Sequence, residues 1–384
     1  MPYKGLFVNI CNNLCSNFAP DIIDSMKIKK LELKNFRNYS SAEVGFPAKK
    51  TLITGKNAQG KTNILESIYL LSDIKSPRTS VMTDLIKFGE NFFEISAEIE
   101  KNDTDISVDF KYNSDKKREF KINGVKSQVK DFRSIVKTVL FSTKDLLLLR
   151  GTPQDRRDWL DRAISQIYPA YSERLNKFDK IRIQKNNLLK SEVIDDSLLD
   201  IYNEQIVITG SNIILLRKRF LNEIEKIASE KHRTISDCES FTLSYTFDGD
   251  DIDSISNNLK EELKQRRSEE IARRQSCVGP HRDDIEFKIN NNDAVKFASQ
   301  GQQRTLVLAL KLGELEIIEE KTGTTPILLL DDVLAELDES RQNFLLKSIG
   351  EGIQTIITSV DTLLFEDDYL KDVKIYSVQN GTIN

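Results

Sequence analysis

The chain has 384 residues, 39% of them hydrophobic and 30% charged, with a formal net charge of −4. That describes a globular chain long enough for two domains with a heavily charged surface. It excludes an overall basic attraction to nucleic acid, so a DNA contact must be a local patch; no apolar run approaches the roughly 20 residues of a membrane span, so no membrane partner is expected.

Residues 1–25 open on the apolar run Gly5 to Ile10, too short and too weakly flanked by basic residues for a secretory signal. They are expected to be a disordered extension, with Met26 as the functional start. Four cysteines (Cys11, Cys15, Cys238, Cys277) lack metal-ligand spacing and read as free thiols of a reducing cytoplasm.

Lys27 to Phe36 alternates polar and apolar residues, the period of a half-buried strand. Ala42 to Phe46 and Lys50 to Thr54 are two further strands. The second runs into Gly55-Lys56-Asn57-Ala58-Gln59-Gly60-Lys61-Thr62-Asn63, which fits G-x-x-x-x-G-K-[ST] and is followed by a helical pattern ending near Ser72. Strand, loop and helix are the context a phosphate loop needs. Gly55 and Gly60 let backbone N–H groups turn inward, the helix start adds partial positive charge, Lys61 reaches phosphate oxygens and the Thr62 hydroxyl is placed to ligate Mg²⁺.

Period-two stretches at Phe93–Ile99, Ile106–Phe110 and Glu119–Ile122, the last followed by Asn123-Gly124, predict an antiparallel sheet. Lys116-Lys117-Arg118 reads as a solvated turn more readily than as a phosphate contact. After a strand at Val136–Phe141, Gly151-Thr152-Pro153 marks a boundary. Beyond it the pattern is helical: Gln154 to Ile167, Pro169 to Leu189, and Ser197 to Ser229. This is read as an inserted helical lobe over 151–275, between an N-terminal ATPase part at 26–150 and a C-terminal part at 276–384. His232 lies among charges and is expected at the surface. Arg217-Lys218-Arg219 and a basic helix from Ile255 to about Gln275 are the candidate DNA patches.

In the last third, Phe297-Ala298-Ser299-Gln300-Gly301-Gln302 opens a helix read over Thr305 to Glu320, and resembles the signature motif of ABC-type ATPases. A serine hydroxyl, a glycine allowing close approach and a helix N-terminus make a γ-phosphate clamp. Pro326 to Asp332 is a buried apolar strand ending in two carboxylates, the Walker B pattern. Asp331 would hold the Mg²⁺ shell and Asp332 would act on the attacking water. Ala335 to Asp338 has D-loop spacing, and Gln354 to Ser359 is one more buried strand, whose end is where ABC proteins carry a switch residue.

These motifs, in this order, give the fold class: α/β, an ABC-type P-loop ATPase head with mixed sheets plus an inserted helical lobe. In such a head Ser299 faces the phosphate loop of a second copy, so ATP should join two chains.

Leu33 to Tyr39, Gly55 to Thr62, Arg150 to Asp161, Gly279-Pro280-His281-Arg282-Asp283-Asp284, Ser299 to Arg304 and Asp331 to Asp338 together resemble the RecF family of recombination-mediator ATPases. The resemblance implies an ATP-dependent homodimer that binds duplex DNA at gaps. It implies work with RecO and RecR partners to load recombinase on single-stranded DNA, slow ATP hydrolysis that resets the dimer, and a cytoplasmic, nucleoid-associated place. It implies that Lys61, Thr62 and Asp331 hold nucleotide and metal, that Asp332 is the catalytic carboxylate, that Ser299, with Gly301 and Gln302, senses nucleotide in trans, and that Arg37 and Asn38 lie near it. Two departures stand out: Thr143-Lys144-Asp145 replaces the family's Pro-Glu-Asp, and Thr358 or Ser359 stands where transporter-type ABC proteins have histidine.

Other classes fit less well. A P-loop kinase needs neither signature nor D-loop. A chromosome-bridging SMC protein needs a long heptad arm that Arg150 to Gln275 cannot supply. A nuclease needs a further acidic metal cluster.

Overall fold

The computed structural model describes residues 24–236 and 239–384. Of the expected N-terminal extension, residues 1–23 lie outside the described residues, as do Cys11, Cys15 and Cys238. Asp24 forms a parallel bridge with Thr324, and Cys277 is a buried free thiol.

Strand β1 (Met26–Phe36) turns tightly through Arg37, at φ 54, into β2 (Tyr39–Gly45). This strand starts earlier than the sequence suggests because the turn has only two residues. β3 (Lys50–Thr54) enters the phosphate loop and helix α1 (Lys61–Asp73) follows it. Then come β4 (Phe92–Lys101), β5 (Thr104–Asn113), β6 (Arg118–Ile122), β7 (Val125–Lys126), α2 (Val129–Ile135) and β8 (Thr138–Ser142).

The long helices are α3 (Pro153–Ile167), α4 (Pro169–Leu189) and α5 (Asp196–Ile235). Thr152 and Asp155 form a reciprocal capping box at the start of α3, with Pro153 in its first turn. β9 (Phe241–Tyr245) precedes α6 (Ile252–Gln265) and α7 (Arg267–Arg273), two helices where the sequence suggests one. The break is at Arg266, whose side chain is drawn to Glu269, Glu262 and the Cys277 carbonyl.

The remainder is β10 (Ile285–Ile289), β11 (Asn292–Asp293), α8 (Ala294–Phe297), α9 (Gln300–Thr322), β12 (Ile327–Asp331), α10 (Glu339–Ser348), β13 (Thr355–Ser359), α11 (Asp367–Leu370), β14 (Val373–Gln379) and β15 (Thr382–Ile383).

Among the described residues the strands form three sheets. One is antiparallel, in the order β2-β1-β4-β5-β6-β7, and buries the alternating apolar face that the period-two pattern announces. The second, β15-β14-β3-β13-β12-β8, is parallel from β14 to β8. The third, β11-β10-β9, ties residues 241–245 to 285–289. Helix α9 lies along α5: a Cβ on Gly313 would meet Ile224 at 3.3 Å and Ala228 at 3.5 Å, so a small residue there lets the two helices approach closely.

Candidate nucleotide site and the junction of the distal motifs

The parallel sheet assembles the site. Ile53 pairs with Thr358, and Thr358 with Asp331, so β3, β13 and β12 end level. Ligands of open α/β sheets sit at this carboxyl edge. Gly55 has φ 151 and Gly60 φ 121. A Cβ on Gly55 would stand 2.4 Å from the Val378 carbonyl oxygen; one on Gly60 would stand 2.7 Å from both the Asn38 amide and the Tyr39 hydroxyl. Only glycine fits either place. Helix α1 has no side-chain cap and no acid in its first turn, which leaves its N-terminal N–H groups directed at the loop. Lys56, Asn57 and Ala58 are exposed along the loop, with Ala58 left-handed at φ 64.

Lys61 is buried and donates to the Gly55 carbonyl at 2.7 Å; its Nζ lies 3.9 Å from Asp332 Oδ2. The Thr62 hydroxyl donates to Asp331 Oδ1 at 2.8 Å, so these two oxygen ligands stand where one Mg²⁺ could take both. Burial pushes the Asp331 carboxyl above the ordinary carboxylate range, against the hydrogen bonds from Thr62 and Thr358. Asp332 has a left-handed backbone, φ 52, and a buried Oδ1 with no partner among the described residues. Such an atom beside a lysine and a phosphate cradle fits a bound nucleotide and its water.

Thr358 holds this pair in place. Its hydroxyl accepts from the Asp332 N–H at 2.9 Å and donates to Asp331 Oδ1 at 3.0 Å. Of the two candidate switch residues it is Thr358 that touches the carboxylates, while the carbonyl of Val360, just past the end of β13, accepts from the Gly55 N–H.

Arg37 and Asn38 are brought to the loop by different routes. Asn38 clamps it, donating to the Gln59 carbonyl at 2.9 Å and accepting from Asn63 at 2.8 Å. Arg37 instead forks onto Glu66 of α1 at 2.9 and 2.8 Å. Glu66 is 1% exposed and also accepts from Ser76 and Arg78; Arg78 in turn donates to Asn63 at 2.7 Å. Glu66, Ser76 and Arg78 escape the sequence reading because their partners are set by folding. The C-terminal hairpin is a different omission. Its turn, Asn380-Gly381, donates to Gln59 through both N–H groups, and Asn-Gly is a strong hairpin signal in any sequence.

Ser299 is exposed and caps α9, which begins five residues before the start expected from the sequence. Its hydroxyl accepts from the Gln302 N–H, and the Gln302 side chain accepts from the Ser299 N–H at 2.9 Å. The Gln302 amide also donates to Glu239 at 2.6 Å. Gly301 faces Arg341, whose Nη2 a Cβ would meet at 3.2 Å. Arg150 steadies this start by donating to Gln303 at 2.8 Å. Among the described residues no hydrogen bond or ion pair joins 55–63 to 299–302.

The stretches around Arg156 and Asp283 meet in one junction. Arg156 forks onto Asp284, both contacts 2.7 Å, and Arg157 donates to the Asp283 carbonyl at 2.6 Å. Arg217, 3% exposed, pairs with Asp161 and donates to Tyr245 and the Pro280 carbonyl. It is therefore turned inward, and the idea that it contacts DNA is corrected. Its neighbour Lys218 donates to Phe247 and Gly249 carbonyls. On α6 and α7, Lys264, Arg266, Arg267 and Arg273 all pair with acids of the same lobe. His232 is corrected too. It is fully buried against Phe241, because its flanking charges point outward while its own position falls on the inner face of α5.

The model of the RecF/RecN/SMC N-terminal domain family matches residues 27–384. The DNA replication and repair protein RecF of Thermosynechococcus vestitus is 42% identical over 93% of this chain and 97% of its own. The RecF of Streptococcus gordonii is 41% identical over 93% of this chain and all of its own. Among solved structures, the recombination mediator protein RecF with ATP, of the RecFOR pathway, superposes with a TM-score of 0.87 at 33% identity, covering 95% of this chain and 98% of that one. The Smc head domain of Pyrococcus furiosus, at 16% identity and a TM-score of 0.55, shares the fold alone. A phosphate cradle on β3, a carboxylate pair on β12, a capped serine on α9 and these likenesses lead to one conclusion: the chain belongs to the RecF family and has the ABC-type ATPase head fold of that family and of SMC heads.

Proposed function

We propose that this chain is an ATP-dependent DNA-binding protein of recombinational repair, and that ATP joins two copies of it. The observation that carries the reading is the placement of Ser299, exposed at a helix start and unconnected to its own phosphate loop, while Thr62 and Asp331 already touch. Bound Mg²⁺ would supply charge neutralisation for the phosphates. Thr62 and Asp331 would hold it, Lys61 and the loop N–H groups would hold the β- and γ-phosphates, and the free Oδ1 of Asp332 would take a proton from the attacking water or orient it. Ser299, Gly301 and Gln302 of the second copy would close on the γ-phosphate. Slow hydrolysis would then release the dimer.

The relatives named for DNA replication and repair support DNA as the polymer, and the RecFOR pathway of the solved relative supports RecO- and RecR-type mediators as partners; duplex DNA at gaps is the form the family resemblance implies. A cytoplasmic, nucleoid-associated place accords with this reading. Among the described residues no helix is long and apolar enough to cross a membrane.

Light scattering with Mg²⁺, with and without ATP, tests the reading on wild type, Lys61→Ala and Ser299→Arg. A nucleotide-driven monomer-to-dimer shift, absent in both variants, is expected. A monomer under all conditions would end the trans-site reading.

A further inference from the structure

A cleft of about 540 Å³ separates the two lobes. One wall is the Lys75–Ser80 loop, the start of β6 and α2; the other is α3, α4 and the turn at His281. Seven Lys and Arg side chains and four Asp side chains line it, a lining of +3 in a chain of −4. Four of the seven cations are committed. Arg217 binds Asp161, Arg133 binds Asp73, Arg78 binds Glu66, and Arg157 binds the Asp283 carbonyl and Gln154.

The other three are Lys75, Arg118 and Arg162. They make no side-chain hydrogen bond or ion pair among the described residues. Lys75 and Arg118 stand on the ATPase wall and are exposed, and Arg162 stands opposite on α3, half-buried. Arg118 is also near enough to Arg133 to work against its charge, added to the larger effect of burial. Burial works against the Arg162 charge, and the nearby Asp145, Asp73 and Asp158 carboxylates more than offset it, so Arg162 is held charged on its wall. Lys75 and Arg118 have no acid paired to them among the described residues, and exposed cations gathered in this way suit an anion.

We propose that this cleft seats the phosphodiester backbone of DNA, with Lys75 and Arg118 on one wall and Arg162 on the other as its phosphate ligands. The proposal rests on the DNA-binding reading above and adds a place to it. Ser172 and Asn176, which line the helical wall without a side-chain partner among the described residues, supply neutral donors of the kind that accompany phosphate contacts. Planar guanidinium groups suit phosphate oxygens. An acidic peptide fits worse. A protein ligand needs apolar anchors, and none of the lining residues is an exposed large apolar side chain. Arg118 ends the Lys116-Lys117-Arg118 run that the sequence alone reads as a solvated turn; folding carries its last residue to the cleft.

The test is fluorescence anisotropy of a labelled duplex with Mg-ATP, on wild type, on Lys75→Glu/Arg118→Glu, and on Lys264→Glu/Arg273→Glu. The last makes the same change of charge on the paired helices. The cleft variant should bind DNA at least about tenfold more weakly, with the slope of log affinity against log salt reduced by about two. ATP-driven dimerisation should be unchanged in it, and the control variant should stay within about threefold of wild type. Equal losses in both variants would mean a net-charge effect, and an unchanged cleft variant would mean another surface; either overturns the proposal. If a polyglutamate peptide bound wild type as tightly as the duplex and lost the cleft variant equally, the seat would be for acidic chains. If wild type dimerised with ATP yet bound no duplex, the DNA reading itself would fall, and this site with it.

Discussion

Arg217 on α5 and Asp161 on α3 are joined by two parallel contacts of 2.8 Å inside the helical lobe, across a tyrosine hydroxyl shared by both. The pair converts a basic run that looks like a surface patch into the pin that fixes α5 against the Pro280 turn. Taking away one partner leaves the other as an uncompensated buried charge. Arg217→Ala should therefore destabilise the chain by roughly 3–5 kcal/mol. Urea unfolding of wild type and variant measures it, and a loss below about 1 kcal/mol would show that the pair is not pinning the lobe.

Thr358 should matter to hydrolysis more than to binding. Its hydroxyl joins the Asp331 carboxylate to the Asp332 backbone, and it is 1% exposed. Thr358→Val keeps the shape and removes both hydrogen bonds. Losing these should slow ATP turnover by about ten- to a hundredfold, roughly 1.4–2.8 kcal/mol, while nucleotide affinity changes little. Thr358→Ser should restore most of the rate. Turnover assays and titration with a fluorescent ATP analogue separate the two effects.

Gly55→Ala should spoil the phosphate cradle. The new Cβ would sit 2.4 Å from the Val378 carbonyl, at a φ of 151. The loop or the C-terminal hairpin must shift, at a strain of roughly 1–3 kcal/mol. ATP affinity should drop at least about tenfold, read by the same titration, with helix content by circular dichroism unchanged.

His281 gives the junction a pH dependence. Its Nε2 donates to the Ser276 carbonyl at 3.2 Å, its Nδ1 is buried without a partner, and burial pulls its pKa down to about 3. Arg182, Arg282 and Arg157 push in the same direction. A depressed folded-state value means that stability is complete above the unfolded value near 6.5 and is lost as pH falls. The loss should be roughly 2 kcal/mol between pH 6.5 and pH 5. Asp283 works against it: burial raises its pKa to about 6, so the chain gains stability as that carboxyl takes up a proton over the same interval. His281→Gln should remove the loss and leave the gain. Denaturant unfolding at the two pH values should show the variant holding or gaining stability where wild type loses it.

The local chemistry of the site was legible in the residues themselves. A strand, two glycines at fixed spacing, a lysine and a threonine at a helix start specify a phosphate loop, because its hydrogen bonds run between near neighbours. The same holds for Ser299 and Gln302, which cap one helix within four residues, and for the alternation of β1, which buries one face as its period requires. What the sequence could not settle was which distant groups meet. Asp331 finds Thr62 only because β12 and β3 flank β13 in the parallel sheet. Glu66 collects two arginines from separate loops. Arg217 and His232 turn inward, against the charge of their neighbours, since a helix of 40 residues packed along its length must bury whatever falls on its inner face. Side-chain burial and pairing over long separations depend on tertiary packing, which no window of sequence contains.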